Sequence, residues 1–599
     1  MRLLHIATAM TSVGLLAACG GSPSDSPAPA PAPGAPASIT LTGVVATGAA
    51  MADAAVSAKC ATGTGTATSS STGSYTLSIT GGALPCVLEA TSSDAAKVLH
   101  SVATATAGST EATANITPLT ELLVAQMTGQ DPAGYMAGVS ASALSVSVTA
   151  SAVTTAQTAL LTMLTAAGLD TAAIGNMVSD PLVAASGGTA GNAHDVVLDN
   201  LAATLATAGT ALPEFSATVA SSSPNAGTAQ GNASMLPPEL LASPKAASCD
   251  ALRSTSYRIV KVSPSVTIGD DAPVTATQTM TFDAATLTAN FGPGDDWVWT
   301  ATAQSCQYTA ADGTEIVVSP SGVIVARAFV GADDDTVSAG GRYRMLLGMP
   351  SQTIPVAQLE GTWNMLGWDI EDSGLHAPNA GITSINASGQ VTSAKCFGDA
   401  LNTAEASCTI EATPQPVFTA HEGGGFNVTS TDSSDPWSLR AFVYKAGNGE
   451  KMMVWLNAQG EISFATRQRV APLPTQGNVS TGWNVQLNAS NTAADVLSTT
   501  TNTISSINGN TVTRQSQSNG SSVSVPQQMV FNSPRDGMTR RLPETVTASD
   551  GSSATVRELY SIRLTGFGMS AYALPSTLTL PNSNARFGVS VELPAVSAP

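Results

Sequence analysis

The stretch YTAADGTEIVVSPSGVIVARA, Tyr308 to Ala328, decides the fold of the second half of this 599-residue chain. It holds a tight Asp-Gly turn, an apolar strand, a second turn with glycine and another strand. A divergent copy, YKAGNGEKMMVWLNAQGEISFAT, runs from Tyr444 to Thr466 with an Asn-Gly turn at the matching place. Because these dipeptides between alternating runs are strong hairpin signals, both copies predict successive β-hairpins.

Three short segments mark the starts of repeated units. They are STSYRIV at 254–260, EGTWNML at 360–366 and STGWNVQ at 480–486. We therefore predict three β units, near 249–356, 357–474 and 475–599. The pattern leaves open whether these units are separate sandwiches or pieces of barrels.

The region 39–113 alternates apolar and small polar residues in runs separated by glycines, which predicts an all-β domain. Its spacing resembles the carboxypeptidase regulatory-like family, a transthyretin-like β-sandwich. The matching features are Gly43, Gly48, Ala55-Val56 and the step from Gly73 through Tyr75 to Leu77. In that family the module is a non-catalytic accessory domain, so the resemblance implies no peptidase activity.

A small helical domain is predicted over 114–218. Thr117 can cap a first helix, Pro118 suits its first position and Gly129 can end it. Two further helices are indicated by apolar residues that share one face, Val153, Leu160, Leu161 and Leu164 in one and Val197, Leu198, Leu201 and Leu205 in the other. Since these helices carry so few charges, we expect them to pack on each other and on the sandwich.

A Ser-, Asn-, Gly- and Pro-rich stretch, 219–248, predicts a linker to the C-terminal units. The fold class expected is therefore multidomain and mainly β: an N-terminal sandwich, a small helical domain, then β-rich units. The order of a sandwich, the segment NITPLTELL and the helix from Asp195 to Leu201 resembles uncharacterised bacterial exported lipoproteins. That likeness carries no activity with it.

The N-terminus begins with Arg2 and a short apolar run that ends in LAAC, Leu16 to Cys19. This is the pattern of a signal peptide, 1–18, and it resembles the bacterial lipobox, in which the cysteine is acylated, with palmitate among the chains. By the same resemblance, Gly20 permits export to the outer membrane. The Pro- and Ala-rich residues of 19–38 predict a stiff, extended linker on the lipid anchor. The alternative is an ordinary signal peptide with an incidental cysteine.

Charge limits the partners of the chain. Only 11% of residues are charged and the formal net charge is −19. Between Ala18 and Ser248 the only basic residues are Lys59, Lys97 and Lys245. Nucleic-acid binding requires clustered Lys and Arg, so that function is not expected. The expected partners are the membrane, through the lipid, and an unknown ligand or envelope protein.

Seven cysteines make an odd count that lipidated Cys19 accounts for. The other six fall into local pairs, and we predict three disulfides typical of an oxidising compartment: Cys60 with Cys86, Cys249 with Cys306, and Cys396 with Cys408. A metal site is the weaker alternative, because there is no Cys-x-x-Cys and no histidine near these cysteines.

Three tryptophans are candidate ligand contacts. Gly361 and Trp363 resemble the Gly-x-Trp start of lipocalin-like barrels, which hold small apolar ligands; the alternative is a structural tryptophan in the core. Trp297 and Trp299 stand at alternate positions of a strand, where they could stack on sugar rings or fill a core.

Catalytic and metal-binding motifs find little support. The clusters Asp270-Asp271, Asp295-Asp296 and Asp333-Asp334-Asp335 lack the spacing of a calcium loop and favour solvated turns. His421 precedes Glu422 and a glycine run, which indicates a surface loop rather than a general base. No nucleophile elbow, P-loop or dinucleotide motif occurs. We expect no catalytic residue, metal or cofactor.

Together these features predict a non-enzymatic accessory or binding lipoprotein of the cell outer membrane. The first alternative is a lipocalin-like carrier of a small hydrophobic ligand, built around Trp363. The second is a secreted hydrolase with residues scattered through the C-terminal units, because a triad is defined by geometry rather than by sequence order.

Overall fold

The computed structural model describes fourteen segments of the chain: 38–104, 109–226, 233–262, 277–330, 342–370, 376–397, 401, 408–410, 416–430, 438–457, 461–488, 498–518, 520–575 and 584–594. Several predictions fall outside them. The signal peptide, Cys19, nearly all of the first linker and the Asp270 and Asp333 clusters lie outside the described residues.

A sandwich of two sheets opens the described chain. Its strands are β1 Ser38–Val44, β2 Ala55–Thr62, β3 Thr64–Thr68, β4 Ser74–Thr80, β5 Ala83–Thr91, β6 Val98–Ala103 and β7 Glu111–Thr113. One sheet has the order β4-β1-β7 and the other β3-β2-β5-β6. Strand β4 shows why they pack, since Tyr75, Leu77 and Ile79 are buried while the residues between them are exposed. The predicted disulfide between Cys60 and Cys86 is confirmed and joins β2 to β5.

Seven helices occur in the described residues that follow, and their order is α1 Pro118–Thr128, α2 Pro132–Gly138, α3 Ala141–Ser147, α4 Ala150–Ala166, α5 Ala193–Ala208, α6 Leu212–Ser222 and α7 Pro238–Leu241. The ends of α1 lie where the sequence predicts them. Thr117 caps it, Pro118 is its first residue, and Gly129 ends it in the left-handed conformation at φ 65°. Every residue of α1 is buried, including its single charged residue, Glu121, so this helix forms the centre of the helical region.

The predicted helix faces turn inward. In α4, Val153, Leu160 and Leu164 are buried and Leu161 is partly buried. In α5 all four predicted residues are buried: Val197, Leu198, Leu201 and Leu205. No single described helix is long and apolar enough to cross a membrane; by length and composition alone the bent pair α3 and α4 would pass, with 60° between them.

The stretch predicted as a linker, 219–248, differs from that prediction at both ends of its described part, whereas 223–226 and 233–237 contain no helix or strand. Helix α6 extends to Ser222, α7 lies within the stretch, and Leu236, Leu240 and Leu241 are buried in the N-terminal core. The Pro and Ser content suggested a free segment. The leucines between the prolines override it, because they bury apolar surface against the first barrel.

The first barrel follows a short hairpin of β8 Lys245–Ala246 and β9 Cys249–Arg253. Its eight strands close on themselves and are β10 Thr255–Val262, β11 Thr277–Asp283, β12 Thr288–Asn290, β13 Asp296–Ala301, β14 Gln307–Ala310, β15 Glu315–Val318, β16 Ile324–Val330 and β17 Arg342–Pro350. The predicted disulfide between Cys249 and Cys306 is confirmed and ties β9 to the residue before β14.

The second unit begins after a 3₁₀ helix, Val356–Leu359. In the described residues it is a single curled sheet of nine strands without the full strand-to-strand closure of the first unit, and it is termed the second barrel for its shape. Its nine strands are β18 Gly361–Ile370, β19 His376–Ile385, β20 Val391–Cys396, β21 Cys408–Ile410, β22 Val417–Ala420, β23 Phe426–Thr429, β24 Ser438–Lys445, β25 Lys451–Asn457 and β26 Ile462–Arg467. Hydrogen bonds from Phe418 N to Gly389 O (2.8 Å) and from Val391 N to Pro416 O (2.9 Å) bring β22 against the start of β20. Cys396 is disulfide-bonded and faces Cys408 in the backbone register; the side chain of Cys408 lies outside the description, so this third pairing stays a prediction.

The third barrel closes eight strands, and a side hairpin of β32 and β33 projects from it. Its elements are β27 Val479–Asn488, β28 Ser498–Asn508, β29 Thr511–Ser518, β30 Ser524–Phe531, β31 Met538–Arg541, β32 Glu544–Thr547, β33 Ser553–Val556, β34 Leu559–Leu564, β35 Met569–Leu574 and β36 Arg586–Glu592. The three aligned starts lie in β10, β18 and β27, and each of these strands pairs with the last strand of its own unit.

An apolar cluster joins the outer faces of the three barrels. It includes Val260 and Leu347 of the first barrel, Trp368 and Phe464 of the second, and Phe587 of the third. The rings of Trp368 and Phe587 stack at 6.0 Å. The chain is thus a multidomain, mainly β protein, and closure of the first and third units resolves the open choice between sandwiches and barrels.

Candidate binding site inside the third barrel

Trp363 lies inside the second barrel and is wholly buried. Its indole N–H donates to Leu359 O at 2.9 Å, and the Arg467 guanidinium lies 4.4 Å from the ring centroid. Leu359, Phe418 and Phe426 pack around it in one apolar cluster. The side chain is therefore part of a filled core. The prediction of a ligand contact at Trp363 does not fit this packing, and the alternative of a structural tryptophan does.

Trp297 and Trp299 do share one face of β13, as their spacing predicts, and that face lies within the N-terminal apolar core. Trp299 is buried between Phe282 and Tyr308, with ring centroids at 4.7 and 5.7 Å. Trp297 is partly buried against Phe291, 5.2 Å away. Between the two alternatives, the core role describes Trp299, since a sugar ring could not reach its buried face.

Within the described residues, His421 and the acidic pair Asp295-Asp296 lie in different units, so the structure does not bring them together. His421 lies in the turn between β22 and β23, and its Nδ1 accepts a hydrogen bond from Gly423 N at 2.9 Å. Asp295 is exposed in the turn before β13, as expected for a solvated turn residue, and Asp296 is exposed at the first position of that strand. Among the segments that the structure describes, no group of three or more His, Cys, Asp or Glu residues could hold a metal ion.

A cavity of about 290 Å³ occupies the third barrel. All eight strands contribute to its wall, which places it in the interior: Asn484, Ser498, Arg514, Gln527, Arg541, Ser561, Ser570 and Ser590 represent one strand each. An eight-stranded barrel is just wide enough either to be filled by side chains or to hold one small ligand. The third barrel leaves a space of about this kind, whereas aromatic and aliphatic side chains fill the first and second units.

Alternation along the strands explains this interior. In β27, Trp483, Val485 and Leu487 belong to the cluster between the barrels, so Asn484 and Gln486 point the other way into the cavity. In β35 and β36 the outward residues are again apolar, and the residues that line the cavity are Ser570, Tyr572, Leu574 and Ser590. The barrel is apolar outside, where it meets its neighbours, and mostly polar within, with Met529, Leu559 and Leu574 as the apolar part of the lining.

Two arginines are the only charged residues in the described lining. Arg514 donates to Gln527 Oε1 from Nε at 3.1 Å and from Nη2 at 2.8 Å. Arg541 donates from Nε to Arg557 O at 2.8 Å and from Nη1 to the same Gln527 oxygen at 3.5 Å. Both guanidiniums thus converge on one neutral oxygen. Arg514 Nη1 and Arg541 Nη2 have no hydrogen-bond partner within the described segments.

The electrostatics of the cavity are one-sided. Burial, and then repulsion from Arg541, lowers the pKa of Arg514 to about 10. Burial, and then repulsion from Arg557, lowers the pKa of Arg541 to about 10 as well. Both therefore remain charged at neutral pH. Burial also raises the pKa of Tyr572, which lines the cavity, so its hydroxyl stays protonated and can donate.

Sequence reasoning missed this site. The lining residues are distributed over about a hundred positions of the sequence, with one to three on each strand, so no local motif marks the site. One compositional signal was present: residues 475–599 contain seven arginines, no lysine and six carboxylates in a chain of net charge −19. Arginine used to the exclusion of lysine is typical of buried charge and of oxyanion recognition.

Comparisons with known proteins identify no family. No family model matches the chain, and no curated protein matches it. Among solved structures, it is similar to a protein of unknown function from the DUF3598 family of Nostoc punctiforme. That likeness has 11% identity and covers 41% of this chain and 99% of the other. Its TM-score is 0.16, which carries no argument about function.

Proposed function

We propose that the chain is a non-enzymatic binding protein of the cell envelope that holds a small polar molecule inside its third barrel. The observation that carries this proposal is the polar cavity of about 290 Å³ enclosed by eight strands. Small-molecule sites in proteins occupy about 300–1,000 Å³, so this cavity suits a ligand at the small end of that range.

The proposed location is the outer membrane, with Cys19 lipidated and the folded units carried beyond the anchor by the linker. The LAAC sequence supports the lipidation, and the disulfides Cys60–Cys86 and Cys249–Cys306 support an oxidising compartment. The accessory role of the sandwich is proposed from its likeness to carboxypeptidase regulatory-like modules. No nucleic-acid partner is proposed, given the net charge.

Blocking the cavity tests the binding function. Ser516 lines the cavity from β29, and its neighbour Gln515 lies on the opposite face of that strand. We expect Ser516→Phe to abolish ligand retention, measured by native mass spectrometry of the full-length mature protein, while Gln515→Phe retains it. The proposal would be overturned if the unmodified protein neither co-purified with a small molecule nor bound one that was supplied. Equal ligand retention in Ser516→Phe and Gln515→Phe would overturn it as well.

Anchoring is tested separately. Cys19→Ala removes the acylated thiol, so the protein is expected to leave the membrane fraction and to accumulate with its signal peptide uncut. Unchanged processing and fractionation would contradict the proposed anchor and would leave the binding function standing.

The two alternative functions, a carrier of apolar ligands around Trp363 and a hydrolase with residues scattered through the C-terminal units, have less support in the described residues. A carrier of apolar ligands around Trp363 would need space that the side chains of the second barrel occupy. For a hydrolase, His421 gives no support, because its Nδ1 accepts a hydrogen bond from a backbone amide. The polar cavity therefore favours a binding function over both.

A further inference from the structure

We propose that the third barrel selects a small oxyanion, a carboxylate or a phosphate on a hydroxylated molecule, through Arg514 and Arg541. This inference deepens the binding function proposed above and rests on it. It concerns the charge and polarity of the ligand, which the presence of a cavity alone does not determine.

The first argument is the imbalance of charge. No Asp or Glu belongs to the described lining, and no carboxylate of the described chain forms an ion pair with Arg514 or Arg541. Two like charges in a confined, partly buried space repel each other, and each loses hydration there without gaining a counterion. An anion placed between them would relieve both effects at once.

Gln527 shows where the anion would bind. Its single side-chain oxygen accepts hydrogen bonds from both guanidiniums, and only 9% of the residue is exposed. A neutral oxygen thus occupies the position of an acceptor between two cations. The remaining donors, Arg514 Nη1 and Arg541 Nη2, are available to a second acceptor. Forked guanidinium donors match the paired oxygens of carboxylate and phosphate groups.

The other lining residues indicate how polar the remainder of the ligand should be. Serine, threonine, asparagine and glutamine provide most of the wall, and the buried Asn502 Oδ1 has no partner within the described chain. An aliphatic tail against these groups would strip them of water without replacing their hydrogen bonds. Hydroxyl groups on the ligand would satisfy them. Met529, Leu559 and Leu574 form the apolar part of the lining and can contact the carbon skeleton of a ligand. The cavity is therefore better suited to a hydroxylated acid or a sugar phosphate than to a fatty acid.

Titration calorimetry on the full-length mature protein at fixed ionic strength tests the inference. The probes are inorganic phosphate, glucose 6-phosphate and gluconate, with glucose as the neutral control. We expect at least one anion to bind at least tenfold more tightly than glucose. A phosphate-specific or carboxylate-specific response identifies which oxyanion the site takes. If no anion binds with a Kd below about 10 mM, or if glucose binds as well as the anions, the inference is wrong.

Variants assign the binding to the barrel. Arg541→Met and Arg514→Met should each weaken the anion at least tenfold. Arg540→Met is the matched control, because Arg540 lies on the outer face and pairs with Glu558 at 2.6 Å; its affinity should stay within twofold. Arg541→Lys retains the charge and should bind more tightly than Arg541→Met, which separates loss of charge from misfolding. Equal affinity in Arg541→Met and Arg540→Met would overturn the assignment.

Failure of this inference is distinguishable from failure of the binding function. A neutral molecule retained by the unmodified protein and lost in Ser516→Phe would refute the anion and keep the binding site. Loss of all binding would refute both.

Discussion

Arg514 and Gln527 face each other directly across β29 and β30, and Arg514 makes two hydrogen bonds to the Gln527 side-chain oxygen. When a charged residue lies directly opposite another residue across two strands, an opposite charge at the second position stabilises the pair. Here the positive charge of Arg514 is not neutralised, because the side chain of Gln527 is a neutral dipole. The pair therefore holds the guanidinium in position and leaves its charge available to the cavity.

Gln527→Glu should complete the pairing. The carboxylate has nearly the shape of the amide and would accept the same hydrogen bonds from Arg514 and Arg541. Charge-assisted hydrogen bonds contribute about 1.5–3 kcal/mol each, so we expect a gain of about 1–3 kcal/mol in unfolding free energy after the cost of burying the new charge. Affinity for anions should fall at least tenfold. Urea unfolding and calorimetry measure the two effects.

The control for this substitution is Gln515→Glu, which adds the same charge to the outer face of β29. It should change both quantities little. Destabilisation by Gln527→Glu, with binding retained, would show that the cavity is already electrostatically balanced.

Local chemistry explains what the sequence predicts well. Helix α1 begins and ends at its predicted caps because capping depends on Thr117, Pro118 and Gly129 alone. The Asp-Gly and Asn-Gly hairpins are also local: Gly313 and Gly449 adopt φ of 87° and 82° at the turns that the dipeptides indicate. Such signals lie within a few residues of the structure they determine.

Barrel interiors depend on pairings far apart in the chain. Alternation in β27 separates Trp483 from Asn484, but period two does not say which face turns inward. That choice is made when β36 closes on β27, more than ninety residues later. In the first barrel the same closure places Trp299 inside rather than on a binding surface. The sequence therefore predicts the strands and the two faces of each strand. Which face lines the barrel interior, and so forms the site, is determined only when the barrel closes.

Gly361→Ala should destabilise the second barrel. Gly361 has φ of 128°, where side chains are strained, and an added Cβ would overlap Nη1 of Arg467, the residue that lies over Trp363. Backbone strain of this kind costs about 1–3 kcal/mol, and displacing Arg467 adds to it. We expect a lower midpoint of urea unfolding and altered tryptophan fluorescence.

Gly294→Ala provides the comparison for Gly361→Ala. Gly294 also has positive φ, 81°, but nothing lies within 4 Å of the added Cβ. The loss of stability in Gly294→Ala therefore measures the cost of backbone strain alone, without displacement of an arginine. An equal loss in both variants would mean that Arg467 makes no contribution at this position.

His100 and His194 should give opposite pH dependence. His100 Nδ1 lies 2.8 Å from Glu121 and its Nε2 lies 3.4 Å from Glu89. Burial opposes protonation, but the hydrogen bond and charge of Glu121, with Glu89, raise the pKa of His100 overall. Its stabilising effect is therefore complete below the ordinary histidine pKa, about 6.5, and is lost as pH rises through the higher folded value.

Burial lowers the pKa of His194, with Asp180 opposing, so its neutral form is favoured and stability is lost as pH falls below about 6.5. We expect His100→Gln to increase hydrogen exchange in β6 and α1 more at pH 6 than at pH 8. His194→Gln should instead reduce the acid sensitivity of α5. The same pH dependence in both variants would contradict the assigned charge states.

Lys451 should behave as a lysine that is partly neutral near pH 8. Burial, then repulsion from Lys445 and Arg467, lowers its pKa to about 8, with Glu450 opposing. Between this value and the ordinary lysine pKa of about 10.4 the unfolded chain binds more protons, so stability rises with pH across that interval. Lys451→Met should therefore stabilise the protein at pH 7 and lose this advantage by about pH 10. Thermal unfolding of Lys451→Met at the two pH values measures this difference, and Lys97→Met is the exposed control.

A second measurement reports the pKa of Lys451 directly: the pH dependence of its acetylation, followed by mass spectrometry. A midpoint near the ordinary lysine value would refute the burial of its charge.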